Sequence, residues 1–229
     1  MKLLAIDTAG AVCAVAVRTG GETMALESEA MDRGQAEELM PMIGRVMTAA
    51  GWGFSDLDQI AVTVGPGSFT GLRIGLAAAR GLALASAVPV GGVSSFDVAA
   101  RGARDSASVA GLLAVVLETK RADYYARLYD PAGAPLDDGV ALDDDDLAAR
   151  LKELGSEQLP ICLAGDAAVR SMGNLEGRLE QQIVVAPEPT RPAIETVAAL
   201  AEETPLRGGA LMPADPVYIR PPDVRLPSA

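Results

Sequence analysis

The chain has 229 residues, of which 49% are apolar, enough to bury a core across one or two domains. Its formal charge of −12 disfavours a free-standing nucleic-acid binder, because such proteins neutralise phosphates with Lys and Arg. Histidine is absent, which excludes Ser-His-Asp triads, His-ligated metals and imidazole acid-base chemistry.

In chain order, Met1 to Asp7 reaches an acid too early for a secretory signal. Residues 3–7, 12–18 and 22–27 read as strands, the first two joined by a small-residue turn at Ala9-Gly10. Cys13 and Cys162 are too few and too far apart for a zinc cluster or a disulfide framework and read as buried thiols. Leu39, Ile43, Val46 and Ala50 give helical spacing over 34–50, and Pro41 predicts a kink or a late start. A strand at 59–64, a helix from Thr70 to Ala87, a strand at 90–93 and a helix at 95–104 follow. Strands first and helix-strand alternation afterwards predict an α/β domain with a mixed sheet. The longest apolar stretch, 74–93, is interrupted by Arg80 and Pro89, so no membrane span and a cytoplasmic setting are expected.

Sliding the sequence by 111 positions sets Leu3-Leu4-Ala5-Ile6-Asp7-Thr8 against Ala114-Val115-Val116-Leu117-Glu118-Thr119. The alternating segment Val12 to Val17 then lies beside Asp123 to Leu128, which predicts a duplicated domain with a boundary near Arg104 to Ser108. Asp137-Asp138 reads as a solvated loop, and Asp143 to Asp146 as the start of a helix whose dipole favours acids. A metal cluster there is the weaker reading, since consecutive side chains diverge. Strands are expected at 160–164 and 183–185, then a helix opened by Pro192 and running to Glu203. From Pro205 a proline-rich tail is expected to be extended and held by Val217-Tyr218-Ile219. The predicted units are a lobe over 1–106, a smaller degenerate lobe over 107–190, and a helix and tail over 191–229 that pack back on the first lobe.

The most informative stretch is Gly65-Pro66-Gly67-Ser68-Phe69-Thr70-Gly71-Leu72-Arg73-Ile74-Gly75, at a predicted strand-helix junction. Glycine opens otherwise forbidden backbone angles and proline fixes one torsion, so the turn has a defined shape. Helix-start amides also suit anions. With Asp7, Thr8, Gly65, Gly67, Ser68, Thr70 and Arg73, the junction forms a candidate phosphate-proximal group. It is no Walker A loop, because Gly71 is followed by Leu72-Arg73. An architectural reading competes: Thr70 as N-cap and Asp7 capping a strand-end turn. In the following helix, Gly71, Gly75 and Ala79 recur every fourth residue. Helical glycine costs ~1 kcal/mol against alanine, a cost that close helix packing offsets. Together with Leu72, Leu76 and, on the first helix, Leu39, Met40, Met42, Ile43 and Met47, these residues form a candidate partner-binding face. A bulky residue at Gly75 is then expected to block the partner and spare the monomer fold. A nucleophilic role for Ser68, Ser94 or Ser95 would need Lys2, Lys120 or Lys152 nearby, and none is adjacent in sequence.

Leu4-Ala5-Ile6-Asp7-Thr8, Glu38-Leu39-Met40-Pro41-Met42-Ile43, the Gly65 to Gly75 run, Gly81-Leu82-Ala83 and Pro216-Val217-Tyr218-Ile219-Arg220 occur in the order found in the TsaB (YeaZ) family, which this chain resembles over nearly its whole length. The resemblance implies two RNase H-like lobes of the actin-like ATPase (sugar-kinase and heat-shock) superfamily, with mixed sheets flanked by helices. It implies a non-catalytic subunit that binds and activates TsaD, which places threonylcarbamoyl groups on adenosine in tRNAs reading codons that begin with A. It further implies TsaE as a third component, a homodimer when TsaD is absent, tRNA contact only through the complex, no intrinsic cofactor or metal, and ATP with magnesium bound by partner subunits. Two positions depart from the family pattern: Gln35 stands where histidine is common, and Glu118-Thr119-Lys120 replaces an Asp-Ala-Arg motif. Two other readings remain: an actin-like ATPase or kinase using Asp7 and the Gly65 to Gly71 loop, and a glycoprotease-type peptidase.

Overall fold

The computed structural model describes residues 1–106, 109, 111–119, 121–155, 159–187, 194–204 and 211–220. Pro192, Pro205 and Lys120, which carry expectations above, lie outside them. The first half runs β1 (Leu3–Asp7), β2 (Val12–Thr19), β3 (Glu22–Ala30), α1 (Gln35–Ala50), β4 (Gln59–Gly65), α2 (Phe69–Ser86), β5 (Val90–Ser94) and α3 (Ser95–Ser106). The second half runs β6 (Leu112–Glu118), β7 (Tyr124–Tyr129), β8 (Val140–Leu142), α4 (Asp144–Leu154), β9 (Ile161–Ala164), α5 (Ala168–Leu175), β10 (Ile183–Val185) and α6 (Ile194–Glu203).

The two five-stranded sheets are wired alike, β3-β2-β1-β4-β5 and β8-β7-β6-β9-β10. In each, a hairpin and a third strand pair antiparallel, and two further strands add in parallel. The sequence offset therefore superposes β1 on β6 and β2 on β7, and Asp7 and Glu118 end equivalent strands. β1 shows why the sheet needs cover on both sides. Leu4 and Ile6 point into one core with Leu39, Ile43 and Val46 of α1 and Leu76 and Ala79 of α2. Leu3 and Ala5 point the other way, against Ile194, Val197, Ala198 and Ala201 of α6. Apolar on both faces, β1 and β4 read as unbroken hydrophobic runs, as buried parallel strands do.

The last helix of each half crosses to the other sheet. While α6 covers the first sheet, α3 turns Phe96, Ala99, Ala100 and Ala103 onto Leu113, Val115 and Tyr129 of the second. Arg101 of α3 joins the two helices through a bidentate pair with Glu203 (2.6 and 3.0 Å), which holds the Glu203 carboxyl below the usual carboxylate range. The other face of the second sheet packs on Leu147 and Leu151 of α4 and Leu175 of α5.

Several expectations change. Pro41 lies inside a continuous α1 that starts at Gln35, so there is no late start. Ser68, not Thr70, caps α2: its hydroxyl accepts the Gly71 N–H at 3.2 Å. β3 extends to Ala30, and β8 and α5 were not anticipated. The largest correction concerns the partner-binding face. Leu39, Met42, Ile43, Met47, Gly71, Leu72, Gly75, Leu76 and Ala79 are all buried within their own lobe, and Met40 alone of that group is exposed. A β-carbon at Gly71 would sit 2.0 Å from the Thr8 carbonyl oxygen, and one at Gly75 would sit 2.5 Å from the Thr8 hydroxyl. The four-residue glycine spacing thus lets α2 lie against the end of β1.

Two outcomes follow. Gly75→Leu should destabilise the chain by about 3 kcal/mol or more through overpacking against Thr8 and Val62. Gly81→Ala, where an added β-carbon meets nothing within 4 Å, should stabilise it by about 1 kcal/mol. Urea midpoints of the two variants moving in the same direction would refute this division of the helix. Burial also pushes the Cys13 thiol up to about 11 and raises that of Cys162. Ellman titration at pH 8 should find both unreactive in the native chain and both reactive in guanidinium.

Candidate functional site

A cavity of about 360 Å³ opens between the lobes, where the carboxyl ends of the parallel strands converge. Such ends are the usual ligand crevice of α/β sheets. The first lobe contributes Asp7, Ala9 to Val12, Asp32, Gln35, Thr63 and Pro66 to Ser68. The start of α3 contributes Ser95 and Val98, and the second lobe Leu117, Glu118, Gly165 and Asp166.

Asp7 closes its turn by accepting the Ala9 N–H at 2.9 Å. Thr8 is buried and spends its hydroxyl on the Gly71 carbonyl at 2.7 Å. The Ser68 N–H donates to the Ala9 carbonyl at 2.6 Å, and a β-carbon at Gly67 would lie 2.3 Å from that same oxygen. The glycine loop is therefore clamped against the β1–β2 turn. Two of the amides that a phosphate would use, those of Ser68 and Gly71, are already committed to the protein.

The second lobe repeats the arrangement with different chemistry. The Glu118 carboxylate is taken by Arg170 of α5, two contacts at 2.8 Å, while its N–H donates to Asp166 at 2.8 Å. Arg170 lies over the Tyr124 ring at 4.1 Å, and the Tyr124 hydroxyl donates to Asp144. Gly165 sits at φ +101°, and a β-carbon there would be 2.2 Å from the Val116 carbonyl, so only glycine fits. The cavity thus gathers the carboxylates of Asp7, Asp32, Glu118 and Asp166, and among the described residues no Lys or Arg lines it.

Of the predicted phosphate-proximal group, the structure brings Asp7, Gly67 and Ser68 to this cavity. Thr8 and Gly65 lie behind it in the scaffold, and Thr70 is exposed on the first turn of α2. Arg73 faces elsewhere. Its guanidinium sits 3.6 Å over the Phe69 ring, and its Nε donates to the Tyr218 hydroxyl at 3.1 Å. Asp32, Gln35, Thr63 and Asp166 reach the lining without having been singled out as ligands. Of these, Gln35 carried a sequence signal, its departure from the histidine common at that position in the family. Of the groups in the serine readings, Lys2 lies over Trp52 at the far end of β1, the Ser94 hydroxyl accepts the Phe96 N–H, and Lys120 lies outside the described residues. Among the described residues no group of three or more Asp, Glu or Cys is disposed to hold a metal ion, and no helix is long and apolar enough to cross a membrane.

Exposed apolar and small residues also lie on the outer sides of α1 and α2. Leu84 is 87% exposed and Met40 47%, and Ala77, Gly81 and Ala85 are exposed beside Leu84. A β-carbon at Gly44 or Gly81 would meet nothing within 4 Å, so neither helical glycine is explained by packing among the described residues. Both helices were expected to carry a binding face, and of the residues expected on it Met40 alone is exposed here.

Comparison with known proteins gives consistent results. A family model described as TsaD, tRNA N6-adenosine threonylcarbamoyltransferase, matches residues 28–176. The tRNA threonylcarbamoyladenosine biosynthesis protein TsaB of Escherichia coli is 41% identical over 103 residues, covering 45% of this chain and 44% of that protein. The Haemophilus influenzae protein of the same name is 30% identical over 128 residues, covering 56% of this chain and 54% of its own length. The chain thus spans about half the length of these curated relatives. The structure of YeaZ from Pseudomonas aeruginosa superposes with a TM-score of 0.72 at 26% identity, covering 95% of this chain and 99% of that one. At 14% identity, the ROK hexokinase of Thermus thermophilus (TM-score 0.51, covering 87% and 98%) shows the same actin-like fold and nothing more. With a matched family model over well more than half its length, and with YeaZ and TsaB as its relatives in structure and sequence, the chain belongs to the TsaB (YeaZ) family.

Proposed function

We propose that this chain serves threonylcarbamoyladenosine formation in tRNA as a binding subunit that docks TsaD through the outer face of α1 and α2. The observation that carries the reading is the pairing of Gly81 with Leu84. An exposed helical glycine costs ~1 kcal/mol against alanine, and an exposed leucine forgoes burial worth roughly 2 kcal/mol. A second helix packed at Gly81 and covering Leu84 offsets both costs, with Met40 supplying an adaptable contact and Gly44 a matching gap on α1. The TsaB and TsaD names among the relatives support TsaD as that partner. The same face serves a second copy of the chain when TsaD is absent, and TsaE joins the heterodimer. Because the chain carries −12, the tRNA phosphates are left to the partner subunits. The Ser68 and Gly71 amides, already committed within the protein, support a reading in which ATP with its magnesium is held by the partners and the chain does not catalyse group transfer alone.

Co-purification with the TsaD of the same organism tests the docking. Gly81→Trp and Leu84→Asp should each reduce retention at least tenfold while leaving the melting temperature of the isolated chain within a few degrees. Undiminished retention in both variants would refute the assigned face. Calorimetric titration of the isolated chain with ATP and magnesium should give no dissociation constant below about 1 mM, about −4 kcal/mol of binding. Micromolar binding would instead support an actin-like ATPase.

A further inference from the structure

The segment 211–220 touches more of the molecule than its length suggests. It begins at the edge of the first sheet, where the Gly92 N–H of β5 donates to the Met212 carbonyl at 2.7 Å. A β-carbon at Gly92 would lie 2.7 Å from the Pro213 carbonyl, so glycine admits the segment there. It then runs along α2: Arg80 donates to the Ala214 carbonyl at 2.5 Å and pairs with the Asp215 carboxylate. The Val217 N–H donates to the Val64 carbonyl at 2.8 Å, next to a Gly65 whose missing side chain leaves room for Val217. Tyr218 takes the Arg73 hydrogen bond and packs on Phe69, with ring centres 5.2 Å apart. Ile219 enters the core between α3 and the second sheet. Finally Arg220 pairs with Asp123, a buried residue in the β6–β7 turn that also accepts the Thr119 hydroxyl.

Residues 73, 77, 80, 81 and 84 recur at three- and four-residue spacing and share one stripe of α2. Arg80, one of the arginines that seat the segment, is therefore a neighbour of Leu84, and Arg73 lies about two turns toward the start of the helix. In the isolated chain the Arg80–Asp215 pair is half or more exposed, and such pairs contribute little. A polypeptide seated on Gly81 and Leu84 removes water from beside it and strengthens the pair through the lower local dielectric.

We propose that residues 211–220 form a strap that couples docking on α2 to the second lobe: docking tightens the strap at Arg80 and Arg73, and the strap restrains the β6–β7 turn through Ile219 and Arg220. The inference rests on the docking face assigned above. It adds a route by which a partner on one lobe acts on the cleft-facing residues of the other, since Glu118 and Thr119 lead into that turn.

Hydrogen exchange of the full chain, alone and with TsaD, tests it. In the wild type, TsaD should slow exchange in α2 and also, by about fivefold or more, in the 121–124 turn. In Tyr218→Ala/Arg220→Ala, TsaD should still slow α2 but leave the turn unchanged. Arg80→Ala, which cuts the strap at its other end, should give the same result without touching the second lobe. Turn protection that persists in both variants, or is missing from the wild type while α2 is protected, overturns the strap. Failure of α2 to be protected at all overturns the docking face, and the coupling with it.

Discussion

The end of β1 and the start of α2 meet backbone to backbone, and the placement of the other elements depends on that meeting. Thr8 donates to the Gly71 carbonyl, Ser68 donates to the Ala9 carbonyl, and Gly67, Gly71 and Gly75 remove the side chains that would stand between them. Any β-carbon at those positions moves α2 off the sheet. With α2 displaced, Leu76 and Ala79 leave the core they share with Ile6 and Val62, and the cavity loses the loop that closes one side. The glycine-rich signature of this family is therefore, in this chain, mainly a packing device. Its likeness to a phosphate loop reflects the strand-turn-helix geometry that both require.

Much of the architecture could be read from sequence because it follows from periodicity and duplication. β1 and β4 are largely apolar runs, and the offset of 111 residues aligned two hairpins that do occupy equivalent places in equivalent sheets. β8 has only three residues and none of them buried, so no alternation could reveal it. α5 has eight residues with Gly173 among them, too short and too interrupted for a helical pattern to stand out. The crossing of α3 and α6 was also out of reach, because hydrophobic spacing shows that a helix buries one face without naming the sheet that covers it.

The proposed docking surface was legible as to helix and illegible as to face. Small residues every four positions satisfy two different demands, close approach to a strand of the same lobe and close approach of another polypeptide. Only burial separates Gly75, pressed on Thr8, from Gly81, which faces open space. The cleft shows a similar limit. Asp7 and Glu118 could be aligned as equivalent strand ends, yet the pairing of Glu118 with Arg170 depends on α5, which periodicity did not reveal. The resulting cavity gathers carboxylates from both lobes, while the Ser68 and Gly71 amides of its glycine loop are spent within the protein.

α2 is committed on both sides. Its inner glycines cannot acquire side chains without dislodging β1, and under the proposed docking its outer glycine cannot acquire a large one without repelling a partner. The only freedom left to evolution along this helix lies in the few positions between the two faces. Divergence within the family should therefore accumulate in the second lobe and its loops, while α2 changes slowly and in step with whichever surface it meets.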